Sequence, residues 1–84
     1  MWRPGTSNRF KKGYRKIGPE ILDRITEGLE ILINSERPEL LGIKKDSYYA
    51  YEVGRQCRIL FCPHHDTRIL ELARVCSHKE VYGP

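Results

Sequence analysis

What the chain lacks narrows the field before any motif is read. No apolar run approaches the ~18 residues that read as a membrane span, and the opening "MWRPGTSNRFKKGYRK" has no apolar stretch of the kind a signal peptide needs. A cytoplasmic protein without a membrane partner is therefore expected. There is no internal repeat, no low-complexity segment and no C-x-x-C pair. The three cysteines, Cys57, Cys62 and Cys76, are odd in number and two sit inside apolar runs. That argues against a secreted disulfide framework and for reduced thiols buried as small hydrophobes. Acidic residues are also missing from the start: Arg3, Arg9, Lys11, Lys12, Arg15 and Lys16 all precede the first of them, Glu20.

What is present suffices for one domain. A chain of 84 residues buries only roughly 60% of its unfolded surface, which leaves nothing for a second core and makes stability marginal. A single domain over residues 1–84 is expected. Hydrophobic residues at 39% and charged residues at 31% are ordinary for a folded chain and too apolar for wholesale disorder. The net charge of +4 and the pI near 9.1 favour a polyanionic partner, either nucleic acid or an acidic protein. The basic charge gathers at the N-terminal end, while Glu20, Asp23, Glu27, Glu30, Glu36 and Glu39 fill the stretch that follows.

Periodicity gives the elements. Ser7 and Asn8 are good N-caps, and Phe10, Tyr14 and Ile17 recur on one face of a short helix that Gly13 weakens. Gly18-Pro19 breaks the chain and starts a second, amphipathic helix with Ile21, Ile25, Leu29 and Leu32 in its stripe, ending near Asn34-Ser35. Beyond Pro38 the period shortens: "LLGIKK", "YYAYEV", "CRILFC" and "TRILELARVC" read as strands, the last two joined as an antiparallel hairpin by "PHHD". Two helices before such a sheet predict an α+β domain with both helices on one face. Alternation puts Ile59 and Phe61 opposite Arg58 and Leu60. In the last strand it puts Leu70 and Leu72 with Arg68 and Arg74, and Ile69, Ala73 and Val75 with Glu71, so neither face is cleanly apolar and the buried one stays undecided.

Three residues together have the chemistry to cleave RNA. In-line attack by a 2′-hydroxyl needs a proton acceptor, a proton donor for the leaving 5′-oxygen and a cation for the phosphate. Arg58, His78 and Tyr82 can supply these without a metal, the arginine as a planar fork, the histidine by titrating near neutrality, the tyrosine by stacking or donating its hydroxyl. Each also has a plainer reading: a surface strand arginine, a solvated terminal histidine, an aromatic plug. His64, His65 and Asp66 could serve in acid–base work or simply form a polar turn. A zinc set drawn from Cys57, Cys62, His64, His65, Cys76 and His78 lacks a C-x-x-C pair, and alternation separates Cys57 from Cys62, so no metal or other cofactor is expected. In "NRFKKGYRK" aromatics interleave with Lys11, Lys12 and Arg15, which suits RNA phosphates and bases, a solvated helix face, or the acidic or apolar helix of a protein partner.

The order of these elements, closing on "CSHKEVYG", resembles the RelE/ParE toxin superfamily of bacterial and archaeal toxin–antitoxin systems from about residue 9 to residue 83. The ending is similar to the G-[TS]-H-x-x-[LV]-[YF]-G of its RelE/YafQ-type mRNA interferases. The resemblance implies a RelE-like fold and a metal-independent endoribonuclease that cleaves mRNA, commonly in the ribosomal A site, leaving a 2′,3′-cyclic phosphate and a 5′-OH. It further implies a cognate antitoxin as protein partner. It assigns Arg58 of "CRILF" to the phosphate, His78 to acid–base transfer and Tyr82 to stacking on or orienting the nucleotide. Lys44, Lys45 and Arg55 stand in for the family's strand cations, and Lys79 adds charge in the tail. Departures are plain as well: "YYAYEV" carries Glu52 where family cations are common, Cys76 replaces a glycine, and the opening strand is reduced to "MWR", cut off by Pro4 and Gly5. Two other functions stay open on the same fold: a ParE-like DNA gyrase inhibitor, and a catalytically silent binder of RNA or antitoxin.

Overall fold

The computed structural model describes residues 1–54 and 57–75. Strand β1 (Arg3–Thr6) leads into helix α1 (Asn8–Arg15) and helix α2 (Pro19–Asn34). A 3-10 turn over Pro38–Leu41 then precedes β2 (Ile43–Lys45), β3 (Tyr48–Val53), β4 (Cys57–His64) and β5 (Ile69–Val75). The strands form one sheet in the order β1-β5-β4-β3-β2, antiparallel except for the parallel pair β1 and β5. The expected α+β architecture is present, with two helices on one face.

The helices begin and end where their caps dictate. The Ser7 hydroxyl accepts from the Phe10 amide at 3.0 Å, which starts α1, and Pro19 sits in the first turn of α2, where a missing N–H costs nothing. Phe10 from α1 and Ile25 and Leu32 from α2 are buried against Ile59, Phe61, Leu70, Leu72 and Val75 of the sheet. Each such side chain contributes about 1.5–3 kcal/mol when removed from water. Gly13 is more than a weak helix former, since a Cβ there would lie 2.7 Å from the Val75 carbonyl oxygen. Its bareness lets α1 lie directly on β5.

The undecided face of β5 is resolved by a bulge. Leu60 pairs with Arg74 and Phe61 with Leu72, so Ala73 is an extra residue opposite the Leu60–Phe61 step. Leu70 and Leu72 before it and Val75 after it thereby point to the same side, and all three are buried. Arg74 is turned to the other face with Leu60, contrary to the simple alternation that grouped it with Leu70 and Leu72. The Ala73 carbonyl, displaced from the ladder, accepts a 2.7 Å hydrogen bond from the Ser7 hydroxyl, while the Ser7 amide donates to the Leu72 carbonyl.

Other boundaries differ from expectation for local reasons. The opening strand is short, but it runs through Pro4 and Gly5 rather than stopping at them. As an edge strand it donates to β5 from Arg3 and its successor Ser7, so Pro4, one residue out of phase with Arg3, has no ladder bond to lose. "LLGIKK" is not one strand: Leu40 and Leu41 lie in the 3-10 turn that Pro38 starts, and only Ile43–Lys45 pairs with β3. Pro63 and His64 belong to β4, opposite Leu70 and Ile69, and the turn itself is 65–68, with Arg68 at φ 60°. Cys57 is buried and disulfide-bonded rather than the reduced thiol expected, while Cys62 is free. Replacing Ser7 with alanine removes an N-cap and strands the Ala73 carbonyl together, so chemical denaturation of Ser7→Ala should show a loss of about 1–2 kcal/mol.

Candidate functional site

The face of the sheet turned away from the helices holds the charged groups. Because β3 and β4 pair as Glu52↔Arg58, Ala50↔Leu60 and onward, Glu52 and Arg58 stand side by side there. The Arg58 guanidinium Nη2 donates to Glu52 Oε2 at 3.4 Å. Arg58 is about a quarter exposed and Glu52 more than half exposed, with side-chain accessibilities of 26% and 58%. An ion pair so open to water contributes at most about 1 kcal/mol, so the guanidinium is held in place without being locked. Arg74, opposite Leu60 on β5, lies diagonal to Arg58 on the same face, and Lys45, opposite Tyr48 on β2, extends the basic surface toward the other edge.

Among the described residues, the predicted site residues separate into three groups. Arg58 and Lys45 share this open face. Lys44 falls on the opposite side with Tyr49, its ammonium 5.4 Å from that ring's centroid. Lys11, Lys12 and Arg15 belong to α1 in the helix layer, and Lys11 and Arg15 flank an apolar groove of about 360 Å3 whose floor includes Phe10, Leu29, Ile33 and Leu72. The fold therefore does not bring the α1 cations together with Arg58. His78, Tyr82, Arg55 and Lys79 lie outside the described residues. Two residues that sequence reasoning did not select join Arg58 instead: Glu52, visible only as a departure from a basic pattern, and Arg74, whose face depended on a bulge that carries no sequence signature in this strand.

The two histidines of the β4–β5 hairpin have different surroundings. His64 extends from β4 on the open face, its Nε2 2.9 Å from Glu71 Oε1. The other Glu71 oxygen accepts from the Tyr48 hydroxyl at 3.1 Å, and the free thiol of Cys62, opposite Glu71 in the β4–β5 register, lies in this group. Hydrogen bonding to the Glu71 carboxylate, with its charge and some burial, raises the Tyr48 phenol above its ordinary value. Burial, and then the Glu71 charge, pushes the Cys62 thiol up against a smaller opposing pull from Lys44. His65, in the turn, is structural: its Nε2 lies 3.2 Å from both oxygens of Glu39, and its ring packs at 78° to that of Trp2 with the ring centroids 4.8 Å apart. Trp2 is covered by the Arg68 guanidinium and donates from its indole to the Ser35 carbonyl. This set ties the hairpin turn to the segment after α2.

No family model matches the chain, and no curated protein matches it by sequence. Solved structures do. The RelBE toxin–antitoxin complex of E. coli contains a chain that superposes with a TM-score of 0.76 at 16% identity, covering 89% of this chain and 94% of that one. RelBE2 of Mycobacterium tuberculosis gives 0.72 at 18% identity over 88% and 94%, and the YoeB–YefM complex of Staphylococcus aureus 0.67 at 14% over 89% and 94%. The fold is that of the RelE-type toxins. Among the described residues, no helix is long and apolar enough to cross a membrane.

The His65 contact gives a pH test. Burial opposes ionisation of Glu39, but its own backbone amide, His65 and Arg37 outweigh that and hold the carboxyl below its ordinary value of 4.5. A carboxyl depressed by folding stabilises the native state above its unfolded pKa, and that contribution is lost as pH falls through the lower folded value. Urea unfolding of the wild type and Glu39→Gln should therefore show a wild-type advantage above pH 4.5 that shrinks as the solution is acidified below it. Arg37, His65, Arg68 and Glu36 surround the same hollow and are present in both proteins.

Proposed function

We propose that the chain is the toxin of a type II toxin–antitoxin pair, acting in the cytoplasm as a metal-independent endoribonuclease on mRNA at the ribosome. The observation that carries this reading is the placement of Arg58 beside Glu52 on the open sheet face of a RelE-type fold. Arg58 exchanges its exposed carboxylate partner for the scissile phosphate, where a planar fork neutralises charge that grows in the transition state. Glu52, left beside the substrate, is placed to accept the 2′-hydroxyl proton as the 2′-oxygen bonds to phosphorus. The phosphorus–5′-oxygen bond breaks, and His78 gives its proton to the departing oxygen. Tyr82 stacks on the nucleotide to fix the angle of attack.

The rest of the charge has assigned partners. Lys45 and Arg74 follow the RNA backbone across the sheet, and Arg55 and Lys79 add further phosphate contacts. Lys11, Lys12 and Arg15, on the helix side, meet a second polyanion, either ribosomal RNA or acidic residues of a cognate antitoxin. That two-sided charge favours a toxin that is neutralised by an acidic protein and works on a large ribonucleoprotein over one that binds a short duplex.

A time course on mRNA, with and without programmed ribosomes, tests the assignment. Wild type should yield fragments with 5′-OH and 2′,3′-cyclic phosphate ends, Arg58→Ala should be slower by about 10²–10³-fold, and Glu52→Gln and His78→Ala should lose product while keeping the wild-type melting temperature. Tight RNA binding without product would instead mark a silent binder, and gyrase-dependent DNA breaks produced equally by His78→Ala would mark a gyrase poison.

A further inference from the structure

Cys62, His64 and Glu71 converge on the open sheet face with no part in the proposed cleavage. The register explains why. Cys62 and Glu71 are directly opposed on β4 and β5, and His64 stands two residues beyond Cys62 on the same strand, so all three side chains leave one side of a paired hairpin. One ligand atom from each, a thiol sulfur, an imidazole nitrogen and a carboxylate oxygen, can be chosen so that all lie within 4.8 Å of one another. The cluster lies four residues along β4 from Arg58.

We propose that Cys62, His64 and Glu71 form a binding site for one divalent transition-metal ion of the zinc type, which clamps the β4–β5 hairpin from its solvent side. The donor set selects the metal. Thiolate with imidazole favours Zn²⁺ and disfavours Mg²⁺ and Ca²⁺, which prefer all-oxygen shells, and three protein ligands leave a fourth position for water. Bond lengths of about 2.0–2.3 Å place tetrahedral ligand atoms somewhat closer together than 4.8 Å, a contraction that side-chain rotation can supply on a fixed pair of strands. Binding releases the thiol proton to solvent and replaces the present His64–Glu71 contact of 2.9 Å with two bonds to the ion.

The site also has the outer support that metal ligands need. Tyr48, from the neighbouring strand β3, donates to the Glu71 oxygen that does not face His64, fixing the carboxylate with its other oxygen free to ligate. His65, the adjacent histidine, is turned away to Glu39 and Trp2. Spacing along the chain offered no such site because its third ligand comes from the partner strand. The metal is structural and separate from the cleavage chemistry, so its binding can be tested whether or not the chain is a nuclease.

The test is cobalt and zinc titration of the full chain, reading the thiolate-to-cobalt charge-transfer band, the affinity by competition with a chromophoric chelator, and the melting temperature. Wild type should bind one ion per chain, show the band and melt at a higher temperature with zinc. Cys62→Ser should lose the band, His64→Gln and Glu71→Gln should bind at least tenfold more weakly, and Tyr48→Phe should weaken binding about tenfold while leaving the band in place. His65→Gln should match wild type in band, affinity and the size of the zinc-induced melting shift, and circular dichroism of the metal-free variants checks that each is folded. A band that survives in Cys62→Ser, or affinities in folded His64→Gln and Glu71→Gln equal to wild type, would overturn the site. So would the absence of any band or melting shift in wild type.

Discussion

The bond from the Ser7 hydroxyl to the Ala73 carbonyl is the point on which this architecture turns. A seven-residue strand with strict alternation cannot bury Leu70, Leu72 and Val75 together, because the last is out of phase with the others. The extra residue at Ala73 corrects the phase, at the cost of a backbone carbonyl removed from the ladder in a half-buried position. Ser7 repays that cost while capping α1, and in doing so it fixes the helix start relative to the bulge. Gly13 then brings α1 onto Val75. One hydroxyl thus sets the strand phase, the helix origin and the layer spacing.

The same phase correction divides the molecule's chemistry between two surfaces. Inward, β4 and β5 deliver a core in which Ile59, Phe61 and Leu70 have no exposure. Outward, it moves Arg74 to the side of Arg58, and it keeps Glu71 opposite Cys62 and within reach of His64 and Tyr48. Central strand β4 carries most of this, since Arg58, Cys62 and His64 all project from it at even spacing. Its neighbours contribute the groups that hold those side chains in place: Glu52 and Tyr48 from β3, Glu71 from β5. Rigid strands rather than loops position these residues, which is what an arrangement sensitive to about 1 Å requires.

Much of this was legible in the chain. The caps at Ser7 and Pro19, the stripe of α2, the β-rich runs and the placement of Arg58 opposite Ile59 and Phe61 follow from local rules, and they suffice for the α+β class; which of the two faces is buried did not follow. What escaped depended on pairing. The bulge at Ala73 has no glycine or other marker, so the face of Arg74 was misassigned. The strand through Pro4 is invisible to propensity because its tolerance comes from lying at an edge. Leu40 and Leu41 looked like a strand because they are apolar, yet Pro38 starts a turn there and leaves Leu40 largely exposed, at 70%. Glu52 and Glu71 gain meaning only through their cross-strand partners, and sequence distance hides both.

The central claim of the proposed function is that the open sheet face, and not α1 with its groove, is the surface that meets the mRNA to be cleaved. The direct measurement is NMR mapping of side-chain and backbone resonances during titration with an RNA oligonucleotide 2′-O-methylated throughout so that it cannot be cut. The account predicts shifts concentrated at Arg58, Glu52, Arg74 and Lys45, weakened by added salt as phosphate contacts require, with Lys11, Arg15 and Leu29 unmoved. Shifts confined to Lys11, Arg15 and the groove residues, with Arg58 and Arg74 unchanged, would contradict it.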